Sequence, residues 1–214
     1  MKAAYMSRVW RRARLSASRL LRDRSGIAAT EFAVIVPIML VMFFGTVEFS
    51  SAVAVSRKVT LVARTLSDLT SQSAGTVTDT YLQNVFTAGI GILWPYAPTP
   101  TNATLSEIYV DSTGKPKIQW SKAATIASGA TQATLTAGHK LTYDVTGIVP
   151  PALLVPNTYL IFSEVSYLYQ PTIGYVMAKA GLSLSDVSYT RPRQSLCVDY
   201  PAPVAPAVAC TPVS

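Results

Sequence analysis

One long apolar stretch dominates the pattern of hydrophobic and polar positions along the chain. Phe32–Val47 contains sixteen consecutive residues without a charge. A bilayer core about 30 Å thick needs about 20 helical residues to cross it. The span Ile27–Phe49 is long enough if Glu31 and Glu48 lie near its two ends. Acidic residues are costly in a membrane helix, and both are therefore candidates for a functional role.

Beyond this stretch the pattern becomes amphipathic. Apolar residues recur at helical spacing, namely Val59, Val62, Leu66 and Leu69. We therefore expect one helix over residues 27–73, whose outer half packs on a globular head. Two separate helices are the alternative, because Ser and Thr are frequent after Ser50 and favour helices weakly.

The pattern then predicts a short helix and a hairpin. Thr78 is a candidate N-cap for a helix through Thr87. Leu105–Val110 is typical of a strand and is followed by a turn signal, Asp-Ser-Thr-Gly. Ile118 and Trp120 alternate with polar neighbours on the return, which predicts the second strand of a hairpin.

Two further strands are predicted near the end of the chain. Tyr159–Tyr169 is apolar on both faces, so we expect it to be central in the sheet, and Leu182–Thr190 is the next strand. Residues 123–138 are typical of a loop or weak helix, and Leu141–Ile148 is a possible strand. The fold class is therefore α+β, with a long N-terminal helix packed on a small antiparallel sheet.

The net charge of +7 comes from one end of the chain. Residues 1–26 carry eight basic residues against Asp23 alone, and the remainder is neutral. Basic flanks of membrane segments stay in the cytoplasm, which puts the N-terminus inside and the head outside. A nucleic-acid partner for the basic arm is the less favoured interpretation.

The cysteines fit an exported head. Cys197 and Cys210 are the only two, and in an oxidising compartment they predict one disulfide that closes a C-terminal loop. A Cys/His metal site lacks ligands, since His139 is the single histidine and is more typical of a turn beside Gly138. We find no phosphate-binding loop, no nucleophile with a base and no acidic cluster, and so expect neither an enzyme nor a cofactor.

The apolar segment with its flanks, Arg22–Phe49, resembles the N-terminal segment of TadE-like proteins, which are pilin-like components of bacterial tight-adherence (Tad/Flp pilus) systems. The shared elements are a basic flank, a Gly, small residues, Glu-Phe, an early Pro and Gly-x-x-Glu-Phe. In this chain they are Arg22, Arg24, Gly26, Ala28, Ala29, Glu31, Phe32, Pro37, Gly45, Glu48 and Phe49. A second likeness, to the C-terminal sheet of these proteins, covers SEVSYLYQP and the strand that ends in Arg-Pro-Arg.

The resemblance implies a processing event and an assembly charge. A prepilin peptidase would cut between Gly26 and Ile27, removing the basic arm and exposing a new amine. Glu31 would then pair with such an amine during assembly, most usefully with that of a neighbouring subunit. Phe32 belongs to the same motif, and Pro37 would let the N-terminal end of the helix bend on packing in a bundle.

These expectations define four regions and one main function. The regions are a cytoplasmic leader (1–26), a transmembrane helix (27–55), its amphipathic extension (56–73) and a periplasmic or extracellular head with a C-terminal disulfide loop (74–214). The function implied is a minor pilin or pseudopilin in the inner membrane, with a role in adhesion and biofilm formation. Its partners would be the prepilin peptidase, other Tad pilins and the inner-membrane assembly platform.

Other interpretations of the same residues stay open. A TadG-like relative would keep its arm and brace the pilus as an uncleaved anchored protein. The apolar stretch is also compatible with an ordinary signal anchor, or with a secretory signal cut after the small residues Ala52–Ala54. A membrane-anchored ligand-binding or sensor module is the alternative from another functional class.

Overall fold

The structure is a computed structural model that describes residues 26–99, 101–171 and 181–200. The basic arm before Gly26 and the tail after Tyr200 lie outside these residues, so expectations for them stay predictions. The chain divides into two compact units between Val47 and Glu48.

Helix α1 runs without interruption over Gly26–Ser71, a length of 46 residues. The prediction of a single long helix is confirmed, and the alternative of two helices is wrong. Several hydroxyls of its outer half form hydrogen bonds that are compatible with the helix, namely those of Thr60, Ser67, Thr70 and Ser71. Ser67 Oγ, for example, donates to Ser188 Oγ at 2.9 Å, and Thr70 Oγ1 donates to the carbonyl of Leu66 at 2.9 Å.

The predicted apolar stripe of the outer half of α1 faces the core. Val59, Val62 and Leu66 are buried, and Leu69 packs against the same cluster with part of its surface exposed. The stripe also includes Val55, which is fully buried. Residues from Glu48 onward therefore belong to the head as much as to the helix.

Helix α2 covers Asp79–Gly91 and is capped as predicted, with Thr78 Oγ1 accepting from the Tyr81 backbone N–H at 3.2 Å. It ends four residues later than expected. A Cβ at Gly89 would lie 2.6 Å from Leu66 Cδ2, so the missing side chain at this position lets α2 approach α1 closely.

Five strands within the described residues form one antiparallel sheet in the order β3-β2-β1-β4-β5. Their bounds are Thr101–Val110, Pro116–Thr125, Thr134–Ala137, Thr158–Tyr169 and Leu182–Thr190 for β1 to β5. This confirms the α+β class. As predicted, β4 is an interior strand, although β1 occupies the middle of the sheet.

Two weaker predictions are wrong. Residues 141–148 form turns instead of a strand, because the Asp144 side chain accepts the Thr146 backbone N–H at 2.8 Å and Val149 N donates to the Val145 carbonyl. Residues 123–138 contain the end of β2 and the edge strand β3, since the small side chains there fit against α2.

The sheet separates two apolar clusters. Alternate residues of β4 divide between them as predicted, with Ile161 and Val165 on the side of α1 and α2, and Leu160 and Phe162 on the side of the 141–155 loop. Strand β2 departs from simple alternation. An extra residue, Gln119, forms a bulge, and Ile118 and Trp120 consequently face opposite clusters.

Candidate membrane and assembly segment

The first residues of α1 are open to the surroundings. Gly26 and Ile27 are both exposed, and a Cβ added at Gly26 would meet no atom within 4 Å. The backbone there does not adopt the left-handed conformation that favours glycine. Neither packing nor local geometry among the described residues therefore requires glycine at position 26.

Glu31 and Phe32 lie on exposed positions of the same helix. Phe32 has 68% of its surface exposed, and Glu31 makes no hydrogen bond or ion pair with another residue in the described ranges. Ile27 and Glu31 are four residues apart, which places them on one face of the helix. The carboxylate of Glu31 is thus available to a cation on a partner or at the helix start.

Pro37 lies inside α1 and the helix continues across it. The other polar groups of the apolar stretch are satisfied within the helix. Thr30 Oγ1 donates to the carbonyl of Ile27, and Thr46 Oγ1 donates to that of Met42, each at 2.8 Å. A helix surrounded by lipid or by other helices needs its polar groups to form hydrogen bonds within the helix in this way.

Beyond Glu31, the surface of α1 before Glu48 is almost entirely apolar. An 18-residue window reaches a mean hydropathy of 2.3 and none of it is buried. By length and composition this helix is able to cross a membrane. Eleven of its large apolar side chains have 46% to 69% of their surface exposed, namely Ile27, Phe32, Val34, Ile35, Ile38, Met39, Leu40, Val41, Met42, Phe43 and Val47.

Glu48, the second acid of the segment, has a different environment. Its surface is only 3% exposed, and Tyr169 Oη at the end of β4 donates to its Oε2 at 3.0 Å. Burial raises the pKa of Tyr169, and the hydrogen bond to Glu48 adds to that increase. Glu48 therefore fixes the outer half of α1 to the sheet.

These observations can be set against known proteins. A family model described as TadE-like protein matches residues 26–67. The chain carries a TadE-like segment. Comparison with curated proteins and with solved structures gave no match.

The TadE-like segment associates the protein with the Tad pilus system. It combines the exposed apolar part of α1 with most of the outer half that packs on the head. The predicted residues Gly26, Ile27, Glu31, Phe32 and Pro37 all lie within it. They share the helix, and no side-chain contact among the described residues brings them together as a compact site.

Only one cysteine of the predicted disulfide lies within the described residues. Cys197 is buried, with 1% of its surface exposed, and the neighbouring Ser195 Oγ donates to its carbonyl at 2.5 Å. Cys210 lies outside the described residues. The Cys197–Cys210 bond therefore stays a prediction.

His139 is engaged within the head. Its Nε2 lies 2.9 Å from Glu164 Oε2, and its ring stacks on Tyr143 with centroids 4.2 Å apart. No group of three or more His, Cys, Asp or Glu side chains suited to a metal ion occurs in the described parts of the chain.

A buried carboxyl group that the sequence pattern did not single out holds the C-terminal segment up to Tyr200. Glu107 Oε1 accepts the Val198 backbone N–H at 2.5 Å, and Trp120 Nε1 donates to the Val198 carbonyl at 2.6 Å. Burial raises the pKa of Glu107 to about 8. The one indication in the sequence was that Glu107 lies inside the predicted strand Leu105–Val110, between the small Ser106 and the apolar Ile108.

Proposed function

We propose that the protein is a minor pilin or pseudopilin, a structural subunit for assembly of a Tad-type pilus. The observation that carries this proposal is a TadE-like helix whose apolar surface is exposed on all sides and bears one exposed acid, Glu31. TadE-like proteins are structural and pilus-associated, and the proposed role is structural rather than enzymatic.

The basic arm supports a defined membrane orientation. Its eight basic residues directly precede α1, and such flanks stay on the cytoplasmic side. The proposal therefore places the N-terminus in the cytoplasm, one span in the inner membrane and the head in the periplasm. Other Tad pilins and the assembly platform would meet the protein through the exposed surface of α1.

Processing after Gly26 would connect the arm to assembly. Gly26 has no structural role that the described residues reveal, and this supports recognition by a peptidase as the reason for a glycine. Cleavage would leave an ammonium group at Ile27, one helical turn from Glu31. In lipid an unpaired carboxylate is costly, so pairing with an amine, best that of a neighbouring subunit, would favour packed helices.

The size of the head supports a minor component. A subunit that only lines a filament needs little beyond the helix, whereas this chain adds two-layer packing of α1 and α2 on a sheet. A secretory signal cut after Ala54 is disfavoured, because Ala52 and Val55 are buried in the core of the head. Removal of α1 at that point would expose the cluster it covers.

The experiment that tests the proposal is mass spectrometry of the protein isolated from membranes and from sheared pili. An N-terminus at Ile27 in both fractions is the expected result, and a strain lacking the prepilin peptidase provides the control. An intact arm in wild-type cells would instead support an uncleaved, TadG-like envelope protein. Absence from the pilus fraction of a correctly processed protein would favour a ligand-binding or sensor role for the head.

A further inference from the structure

A cavity of about 330 Å³ lies in the head where β4 begins and β5 ends. The pair Ile161 and Thr190 marks this end of the β4–β5 ladder. The pair Tyr169 and Leu182 marks the other end, and residues 172–180, which the structure does not describe, lie between those two in the sequence. The residues that line the cavity all lie in the described ranges and in one compact unit.

The cavity wall carries two arginine side chains and no carboxylate. Arg191 is exposed and forms no hydrogen bond or ion pair with another residue of the described ranges. Arg193 Nη2 lies 2.5 Å from Asp68 Oδ1, and its remaining N–H groups are additional donors. Burial raises the pKa of Tyr159, also in the wall, to about 12, so its hydroxyl adds no negative charge at neutral pH.

The positive charge of Arg191 has no acidic side chain waiting elsewhere in the head. Every Asp and Glu that follows Gly26 in the sequence lies in the described ranges, and none of them pairs with Arg191. The cavity therefore presents a guanidinium group whose charge is uncompensated, which favours an anionic ligand.

Asn157 supplies a further donor from a backbone conformation that residues other than glycine rarely adopt. Its φ is 60°, and no other non-glycine residue in the described ranges has a positive φ. Its backbone N–H donates to the Val110 carbonyl at 2.8 Å, and its Oδ1 accepts from Tyr109 Oη at 3.0 Å. These bonds orient the side-chain amide, whose N–H groups bond to no residue that the structure describes.

Two hydroxyl groups of the wall are left as acceptors. Thr158 Oγ1 donates to the Val155 carbonyl at 2.7 Å, and Ser195 Oγ donates to the Cys197 carbonyl at 2.5 Å. Each hydroxyl has a single proton, so its oxygen retains lone pairs that accept from a ligand. Leu196, which is 49% exposed, adds an apolar surface beside them.

This combination suits a carboxylate that is attached to a hydroxylated ring. A guanidinium group binds a planar carboxylate through two parallel N–H bonds. The hydroxyl oxygens of the wall suit a ligand that donates O–H groups, as a sugar ring does. An extended acidic peptide is disfavoured, because β4 pairs with β1 on one side and with β5 on the other and offers no free edge for main-chain hydrogen bonds.

We propose that this cavity binds a sugar acid of the hexuronate type, either free or as a residue of an acidic polysaccharide. Its carboxylate binds Arg191, and its ring hydroxyls bond to Asn157, Thr158 and Ser195. The cavity is at the small end of the usual range for ligand sites, about 300–1,000 Å³, which suits a ligand of this size. The inference does not depend on the proposed role in a pilus, because every residue that it uses lies in the head.

Titration calorimetry of the full-length protein in non-ionic detergent micelles tests the inference, with galacturonate, trigalacturonate and the neutral analogue galactose as probes. We expect both acids to bind and galactose to bind about tenfold more weakly or less. Arg191→Gln should weaken the binding of galacturonate about tenfold or more, because charge-assisted hydrogen bonds are lost. Arg57→Gln is the matched control: Arg57 is exposed in the same unit and does not line the cavity, so affinity should stay within about twofold.

Asn157→Gly is a second variant that preserves the fold, because glycine adopts the positive φ while the amide is lost. We expect it to weaken binding about threefold or more. Urea unfolding of each variant checks that the head is folded before binding is compared.

A wild-type protein that binds neither acid would overturn the inference and leave the proposed function untouched. Equal losses in Arg191→Gln and Arg57→Gln would also overturn it, because binding would then follow net charge. Galactose bound as tightly as galacturonate would refute recognition of the carboxylate. Inorganic phosphate or an acidic peptide that binds more tightly than galacturonate would identify another class of ligand and refute the sugar acid. Tighter binding of trigalacturonate than of galacturonate would support a polysaccharide, and equal binding a free sugar acid.

Discussion

Tyr169 Oη donates a hydrogen bond to Glu48 Oε2 at 3.0 Å, which joins the end of β4 to the outer half of α1. Both residues are almost fully buried. The two acids of the TadE-like segment therefore have different environments, since Glu31 is exposed on the helix whereas Glu48 is buried against the head.

We predict that Tyr169→Phe destabilises the head by about 1–3 kcal/mol, because the buried Glu48 carboxylate loses a donor. Urea unfolding of the full-length protein in detergent micelles, followed by intrinsic fluorescence, measures the change. The control is Tyr143→Phe, which removes a hydroxyl from a residue 40% exposed and should change stability by less than about 0.5 kcal/mol. Equal losses in the two variants would contradict the role given to Glu48.

Replacement of Glu31 by Ala should block incorporation into pili and leave membrane insertion intact. We expect its amount in the pilus fraction to fall about tenfold or more, since a pair in lipid worth more than about 1.4 kcal/mol is lost. Immunoblots of sheared pili and of carbonate-washed membranes measure the two quantities. Thr30→Ala is the matched control, because Thr30 bonds only to its own helix and carries no charge. Normal incorporation of the Glu31→Ala variant would contradict the hypothesis that Glu31 pairs with an amine during assembly.

The approach of α2 to α1 depends on Gly89. A Cβ there would lie 2.6 Å from Leu66 Cδ2 and 3.0 Å from Cγ, and Leu66 is fully buried. We predict that Gly89→Ala lowers the free energy of unfolding by about 1–3 kcal/mol through overpacking. Gly91→Ala, where the new methyl group meets no atom within 4 Å, should be neutral or stabilising by up to about 1 kcal/mol. The urea unfolding assay described for Tyr169→Phe measures both changes. An unchanged free energy of unfolding for Gly89→Ala would contradict the prediction and would mean that the Leu66 side chain repacks.

The stability of the head should fall as the pH rises from about 5 to about 8, because burial raises the pKa of Glu107 from 4.5 to about 8. In this window the folded protein keeps a proton that the unfolded chain has released, so each increase in pH favours unfolding. We predict that Glu107→Gln removes this dependence, since the Gln oxygen still accepts the Val198 N–H. Unfolding midpoints at several pH values provide the measurement.

A control for the pH series is Asp111→Asn. Hydrogen bonds from the Thr113 hydroxyl and the Lys115 backbone lower the pKa of Asp111, so its contribution is constant above pH 5 and is lost only in acid. The slope between pH 5 and 8 should therefore persist in this variant. A wild-type slope that survives Glu107→Gln would show that another group is responsible.

Most of the architecture was predictable because the local signals were strong. The long helix, the capped α2, the β1–β2 hairpin and the bounds of β5 follow from periodicity, a Thr cap and turn residues. The short strand β3 was missed because its Thr and Ala residues favour a strand only beside β2. The expected strand at 141–148 failed because the Asp144 turn competes with the extended backbone.

The residues of the candidate site also fall into those that the sequence indicated and those whose contacts it did not indicate. Gly26, Glu31, Phe32 and Pro37 were indicated by the resemblance to TadE-like proteins, and their proposed roles stay predictions. Glu48 was noticed only as an acid in an apolar stretch, and its partner Tyr169 lies 121 residues away in sequence. No local pattern encodes a pair of that separation.

The sequence by itself determined the long apolar segment, the concentration of basic residues before it and the alternation of the strands, because these depend on the type and spacing of residues along the chain. Only the tertiary structure decided that a bulge at Gln119 turns Trp120 toward Val198, and that Glu48 and Glu107 are buried with donors. Burial and hydrogen bonding between distant residues arise when the elements pack. The role of a buried acid is therefore fixed by its neighbours in space rather than by those in the chain.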